Sequence, residues 1–291
     1  TIEDELAKLD ELDPDSVERK YFLEACLITC HAASIWFNRW GDAADARAAE
    51  GKDAVRRKEL EQIAANCHHL ATEPPETFWQ GVQMVHLAVC LVHLESNGHS
   101  INYGRFDQYM YPLYKKDIEN GTGSREFAQE LMENLHIKIW NLNKLRDHIA
   151  VTILGNGGIG GPAMTVGGVD EEGNDATNEL TFMFMDALAH TGIPCPWASL
   201  RLHSGTPWEV KVKLYNTIKL GMGEPKIFND DCIVPSMLSL GKTLEDARNY
   251  QCCGCVEPDI TGREYGGHGS GDVNLAKCIE LALNDGRCYV C

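Results

Sequence analysis

Residues 251–272 read QCCGCVEPDITGREYGGHGSGD, with three cysteines in four positions beside a glutamate and a proline, followed by glycines. Metal binding, disulfide chemistry and a catalytic cysteine are all open to such a cluster. Pro258 disfavours helix at Glu257 and pushes it towards extended backbone. In an extended segment, side chains two apart share one side, roughly 6.5–7 Å apart along the strand. Cys255 and Glu257 are therefore expected to face one pocket, with Val256 turned into the body of the protein. Gly254 permits a tight backbone approach. A thiol and a carboxylate aimed at one small substrate divide a reaction: sulfur takes a hydrogen and oxygen moves a proton.

Two other chemistries compete for the same residues. Cys252 with Cys255, and Cys288 with Cys291, have the spacing of structural zinc pairs. They flank a long apolar helical pattern rather than a small knuckle, which weakens a zinc- or iron–sulfur-binding module. A cysteine hydrolase needs a partnering histidine, and His268, thirteen residues past Cys255, could serve.

The rest of the chain narrows the classes. Lys and Arg total 26 against 43 Asp and Glu, a net charge of −17 over 291 residues. Nucleic acids and acidic membrane surfaces both need concentrated positive charge, so neither is an expected partner. No apolar run approaches the ~18 residues of a membrane span. Twelve cysteines in a chain this long, 44% hydrophobic, do not suggest a disulfide scaffold, and a reducing cytoplasm is expected. The start TIEDELAKLD lacks Met, and the chain stops just after an apolar helical pattern. Both ends read as cut, which predicts a piece of a longer chain.

Residues 14–94 carry helical spacing, with Phe22, Cys26, Cys30, Ala33 and Phe37 on one predicted core face, and Phe78, Val82, Val85 and Val89 on another. Helix is predicted again from about 124 to 145. Residues 155–168, GNGGIGGPAMTVGG, hold seven glycines. Gly155, Gly157 and Gly160 fit G-x-G-x-x-G, but Pro162 follows and no long helix begins there, so an active-site wall is expected rather than a dinucleotide loop. Beyond it, predicted helices alternate with the extended runs PWASLRLH and PKIFND, which argues for α/β architecture. A final helix over 274–286 turns Leu275, Ile279, Leu281 and Leu283 to the core.

GCVEP at 254–258 resembles the cysteine-loop signature of glycyl radical enzymes, the superfamily of pyruvate formate-lyase. It is most similar to the dehydratase, lyase and decarboxylase branch, since pyruvate formate-lyase itself carries two adjacent cysteines there and lacks the glutamate pattern. Family-like segments recur in family order: ESNGHS (95–100), GRFDQYMYP (104–112), NKLRD (143–147), TVGG (165–168), DATNEL (175–180), RLHSGTP (201–207), GMGEPKIFND (221–230) and NLAKCIELALNDG (274–286). The resemblance covers essentially residues 1–291 as one catalytic domain.

It implies a ten-stranded α/β barrel with the cysteine loop inside and a helical N-terminal portion. It further implies that a glycyl radical, installed by a radical S-adenosylmethionine activase, converts Cys255 to a thiyl. Glu257 then acts as general acid or base while a C–O, C–N, C–S or C–C bond breaks. A homodimer follows from the same likeness. The radical motif R-V-x-G-[YF] is absent from the sequence, so its glycine is expected on a missing C-terminal segment and this stretch alone should be inactive. The resemblance also places Ile159, His268 and Asp272, and Ser96 beside them, at the substrate pocket. Elimination from a small polar substrate is the first reading, and decarboxylation of an arylacetate-type substrate the alternative. Arg105 and Asp107 are expected to form an ion pair, Arg201 and His203 to brace the barrel, and Asn229 and Asp230 to line its wall.

Overall fold

The computed structural model describes residues 1–10, 12–96, 101–142, 148, 162–193, 195–254, 256–264 and 274–290, without the side chains of 95 and 96. Cys255, Ile159, His268 and Asp272, together with the glycine-rich loop 155–161, lie outside the described residues.

The first third is helical. Thr1 and Asp4 form a capping box on α1 (Ile2–Ala7). Asp13 accepts from Asp15 N–H, and Pro14 pre-sets φ, where the 37-residue α2 (Pro14–Glu50) begins. Asp53 caps α3 (Ala54–Leu70) through Val55 and Arg56 N–H. With α4 (Phe78–Ser96), these helices enclose Phe37, Cys67, Leu70, Ala71 and Leu87. The expected stripe on α2 is a core face only at its end: Phe37 is buried, whereas Phe22 is 67% exposed and Cys30 also faces outward. Every buried residue of α2 lies from Phe37 onward, so its first half runs past the helices that cover the second.

After α5 (Phe106–Tyr109), α6 (Tyr111–Asn120) and α7 (Arg125–Trp140), strands and helices alternate. The order is β1 (Ala163–Gly167), α8 (Glu179–Thr191), β2 (Trp197–Leu202), α9 (Trp208–Ile218), β3 (Lys226–Asn229) and α10 (Asp230–Ser239). The three strands are parallel in the order β1-β2-β3, with Thr165 beside Ser199 and Gly167 beside Arg201. Parallel neighbours need crossovers, and the helices supply them.

The sheet has two unlike faces because side chains alternate. Met164, Val166, Ala198 and Leu200 join the main core with Met132, Leu135, Phe184 and Leu188 from α7 and α8. The opposite face presents Ala163, Thr165, Ser199 and Arg201, small or polar yet all buried. On that face lies an antiparallel pair: after α11 (Leu244–Arg248) come β4 (Tyr250–Cys253) and β5 (Glu257–Ile260). The last described helix, α12 (Leu275–Leu283), departs from expectation. It buries none of its residues, and Leu275, Ile279 and Leu283 are 73%, 62% and 79% exposed. Its apolar face has the right periodicity, but the described elements do not cover it.

Among the described residues no helix is long and apolar enough to cross a membrane, and the described cysteines form no disulfide with one another.

One buried and one half-buried histidine give the fold a pH dependence. His136 on α7 is fully buried edge-on to Phe184, and burial pushes its pKa down to about 3. His86 on α4, beside the Tyr103 hydroxyl at 3.2 Å, is pushed down to about 4 by burial first, with Lys138 and His93 adding. Both stay neutral when folded, while the unfolded chain takes up protons near pH 6.5. Stability is therefore whole above that value and falls as the pH drops towards 4. Between pH 7 and pH 5 each histidine should cost about 2 kcal/mol. The urea midpoint should fall over this range, and His136→Phe should flatten the slope; a midpoint equal at both pH values would contradict this.

Candidate active site

The site is built around a turn. Cys253 pairs with Glu257 across β4 and β5, as Cys252 does with Pro258 and Tyr250 with Ile260. β4 ends at Cys253 and β5 begins at Glu257, and the chain reverses between them. Gly254 has φ 55°, the left-handed region that a side-chain-bearing residue enters at a cost, and it starts the reversal. Glu257 is extended, as Pro258 requires. Val256 is not turned inward: it belongs to the turn and is 56% exposed. The expected facing of Cys255 and Glu257 involves a residue outside the description. The residue directly opposite Glu257 is Cys253. The Glu257 carboxylate folds back on the turn, its Oε2 accepting from Val256 N–H at 2.8 Å.

Side chains hold this hairpin to the polar face of the sheet. Thr165 Oγ1 accepts from Cys252 N–H at 2.9 Å. Arg201 donates from one terminal nitrogen to Tyr250 O and from the other to Arg248 O, each at 2.8 Å. Its guanidinium also grips Asp230 with two bonds of 3.0 and 2.8 Å and lies 3.9 Å from the centre of the Tyr250 ring. Tyr250 returns its hydroxyl to Asp230 at 2.6 Å. Gly168 makes room for the pair, since a Cβ there would stand 2.6 Å from Arg201 Nε. At the other end of β4, Asn102 Oδ1 accepts from Ala163 N–H at 3.3 Å, and the Asn102 amide hydrogen-bonds the Cys253 thiol.

Burial disfavours the thiolate form of both neighbouring cysteines. Burial pushes Cys252 up to about 12, against the opposing pull of Ser199, Arg201 and Thr165. Burial also raises Cys253, and the charges of Asp259 and Glu257 add to it.

Several expected residues take different places. Arg105 and Asp107 do not bond each other. Arg105 donates to Gly167 O and Val169 O at 3.1 and 2.8 Å, and Asp107 accepts from Gly167 N–H and the Thr181 hydroxyl at 2.7 and 2.5 Å. They clamp the end of β1 separately, because buried backbone groups there need partners. Arg201 is a brace as expected, and His203 pairs with Asp175 at 3.0 Å. Asn229 caps α10 through Asp231 N–H, while Asp230 is the buried partner of Arg201. Ser96 is the last residue of α4, and its side chain is outside the description. Asn102, Thr165 and Tyr250 were not foreseen as site residues. No composition or spacing signal marks them, because their partners are main-chain or distant groups. Among the described residues no group of three or more His, Cys, Asp or Glu is placed to hold a metal ion.

Comparisons with known proteins agree on one family. The family model described as pyruvate formate lyase-like matches residues 1–290. The chain is 43% identical over 282 residues to a (2S)-3-sulfopropanediol dehydratase of Klebsiella oxytoca, covering 97% of this chain and 34% of that protein. It is 34% identical to an isethionate sulfite-lyase of Bilophila wadsworthia, covering 98% and 35%. Among solved structures, the glycerol-bound B12-independent glycerol dehydratase of Clostridium butyricum superposes with a TM-score of 0.93 at 37% identity, over 99% of this chain and 36% of that one. The chain thus spans about a third of the length of the relatives it matches.

Proposed function

The chain belongs to the pyruvate formate lyase-like family, and on that premise we propose that it carries the thiol and the carboxylate of a glycyl radical lyase. The reaction class is elimination from a small polar, hydroxylated substrate. The observation that supports this most is the β4–β5 hairpin, which sets Glu257 opposite Cys253, two positions from Cys255 in the sequence, and is pinned to a buried polar sheet face. In this reading the three parallel strands belong to a ten-stranded barrel around the hairpin, residues 1–291 form part of one catalytic domain, and the protein is a cytoplasmic homodimer.

A glycyl radical elsewhere in the polypeptide, installed by a radical S-adenosylmethionine activase, supplies the capacity to remove a hydrogen atom. Cys255 exchanges that hydrogen with a substrate carbon, and Glu257 moves the proton that lets the adjacent C–O or C–S bond break. The proposed barrel would keep water from the reactive carbon. Ser96, Ile159, His268 and Asp272 are proposed to contact substrate. The relatives compared above act by dehydration or sulfite elimination, which favours elimination over arylacetate decarboxylation.

The test is anaerobic activation of the complete enzyme, followed by a panel of vicinal diols, hydroxysulfonates and arylacetates. Turnover is expected on members of the first two groups. Glu257→Gln should then lower kcat by about 10²–10⁴-fold, the range for losing a general acid or base. Turnover confined to arylacetates, or undiminished by Glu257→Gln, would overturn the proposal.

A further inference from the structure

We propose that Thr165 is a positioning residue: its hydroxyl holds the main chain of Cys252 and so fixes where Glu257 stands over the parallel sheet. The pairing of β4 with β5 creates the need for it. Along an antiparallel strand, main-chain groups point alternately to one side and the other. Cys252 lies opposite Pro258, which has no N–H to give, so the two form a pair without mutual hydrogen bonds. Cys252 N–H therefore points away from β5, as does Tyr250 O two residues back. Both residues are fully buried, so these groups need partners inside the protein.

The sheet meets them with side chains at the same spacing. Thr165 Oγ1 accepts from Cys252 N–H at 2.9 Å, and Arg201 donates to Tyr250 O at 2.8 Å. Arg201 pairs with Gly167 across β1 and β2, two positions on from Thr165, and Tyr250 and Cys252 are likewise two apart. Arg201 grips the base of the hairpin, where it also binds Arg248 O. Thr165 grips it one residue from the Cys253–Glu257 pair, the last before the turn.

Thr165 is itself held fast. It is 1% exposed, its N–H donates to Gly104 O at 3.0 Å, and a β-branched side chain is stiff about χ1. Ser199, its register partner, stands with it against the Cys252 sulfur. Cys252 is thus seated by main chain and side chain at one point, and Glu257 follows it by a single step of the ladder. A valine at 165 would keep the shape but leave a buried N–H without this acceptor.

The kinetic arm of the test rests on the glycyl radical reading, and the exchange arm does not. In the complete enzyme, hydrogen–deuterium exchange resolved to single amides should find Cys252 N–H protected. Thr165→Val should speed its exchange about tenfold or more relative to Ala198 N–H of β2, which Glu224 holds independently. In the activated enzyme, Thr165→Val should lower kcat by about ten- to hundredfold, as a misplaced catalytic group does, with KM within about threefold of the parent. The glycyl radical yield, read by electron paramagnetic resonance, should be unchanged. Thr165→Ser keeps the acceptor and should recover most of both losses. A Cys252 amide unprotected in the unsubstituted enzyme, or unmoved by Thr165→Val, overturns the inference, as does an unmoved kcat. An equal loss of kcat in Thr165→Ser assigns the residue to packing and overturns it too. Should the unsubstituted enzyme turn over nothing in the panel, the radical reading fails and exchange still decides whether Thr165 anchors the hairpin. Should Thr165→Val fail to fold, protection of Cys252 N–H in the unsubstituted enzyme and in Thr165→Ser decides.

Discussion

Cys255→Ser is expected to reduce turnover of the activated enzyme to background while the far-UV circular dichroism and urea midpoint stay those of the parent. An O–H bond is far stronger than an S–H bond, so a serine cannot pass a hydrogen atom to and fro as a thiol does. The change is small in volume and swaps one small side chain for another, so the fold should tolerate it. The effect should be specific to this sulfur. Cys30→Ser, on an outward-facing part of the second helix, should leave turnover unchanged. Substantial turnover in Cys255→Ser would remove the chemistry proposed for the hairpin.

The largest effect on stability is expected from Arg201→Leu. Arg201 and Asp230 have side chains 0% and 2% exposed and share a two-pronged hydrogen bond. Removing the cation strands a carboxylate in the interior, at a cost of about 3–5 kcal/mol. The carbonyls of Arg248 and Tyr250 lose their 2.8 Å bonds to the guanidinium at the same time, Arg248 O keeping only the longer bond from Arg105 among its side-chain donors. Arg201→Lys should recover only part, because an ammonium cannot reach both Asp230 oxygens and both carbonyls from one fixed plane. Urea unfolding checks this directly. A midpoint shift too small to amount to about 1 kcal/mol would show that the pair is solvated in a way its burial denies.

The alternation of helix and strand was legible from residue 163 onward because each run has its own period, and PWASLRLH and PKIFND became the second and third parallel strands. The hairpin was only half legible. Pro258 announced an extended Glu257, but Gly254, with its positive φ, reversed the chain at the point where simple alternation placed a straight strand. Arg105 and Asp107 looked like a pair by spacing. Their true partners are the main chain of Gly167 and Val169 and the hydroxyl of Thr181, about sixty residues or more away, which no local pattern encodes. The apolar faces of the second and last helices were read correctly as apolar, yet periodicity cannot say what covers them.

The hairpin is fastened by a hydroxyl, a guanidinium and an amide rather than by a shared strand ladder with the parallel sheet. That separates chassis from tool. Residues at the tip can be exchanged without re-registering the strands beneath.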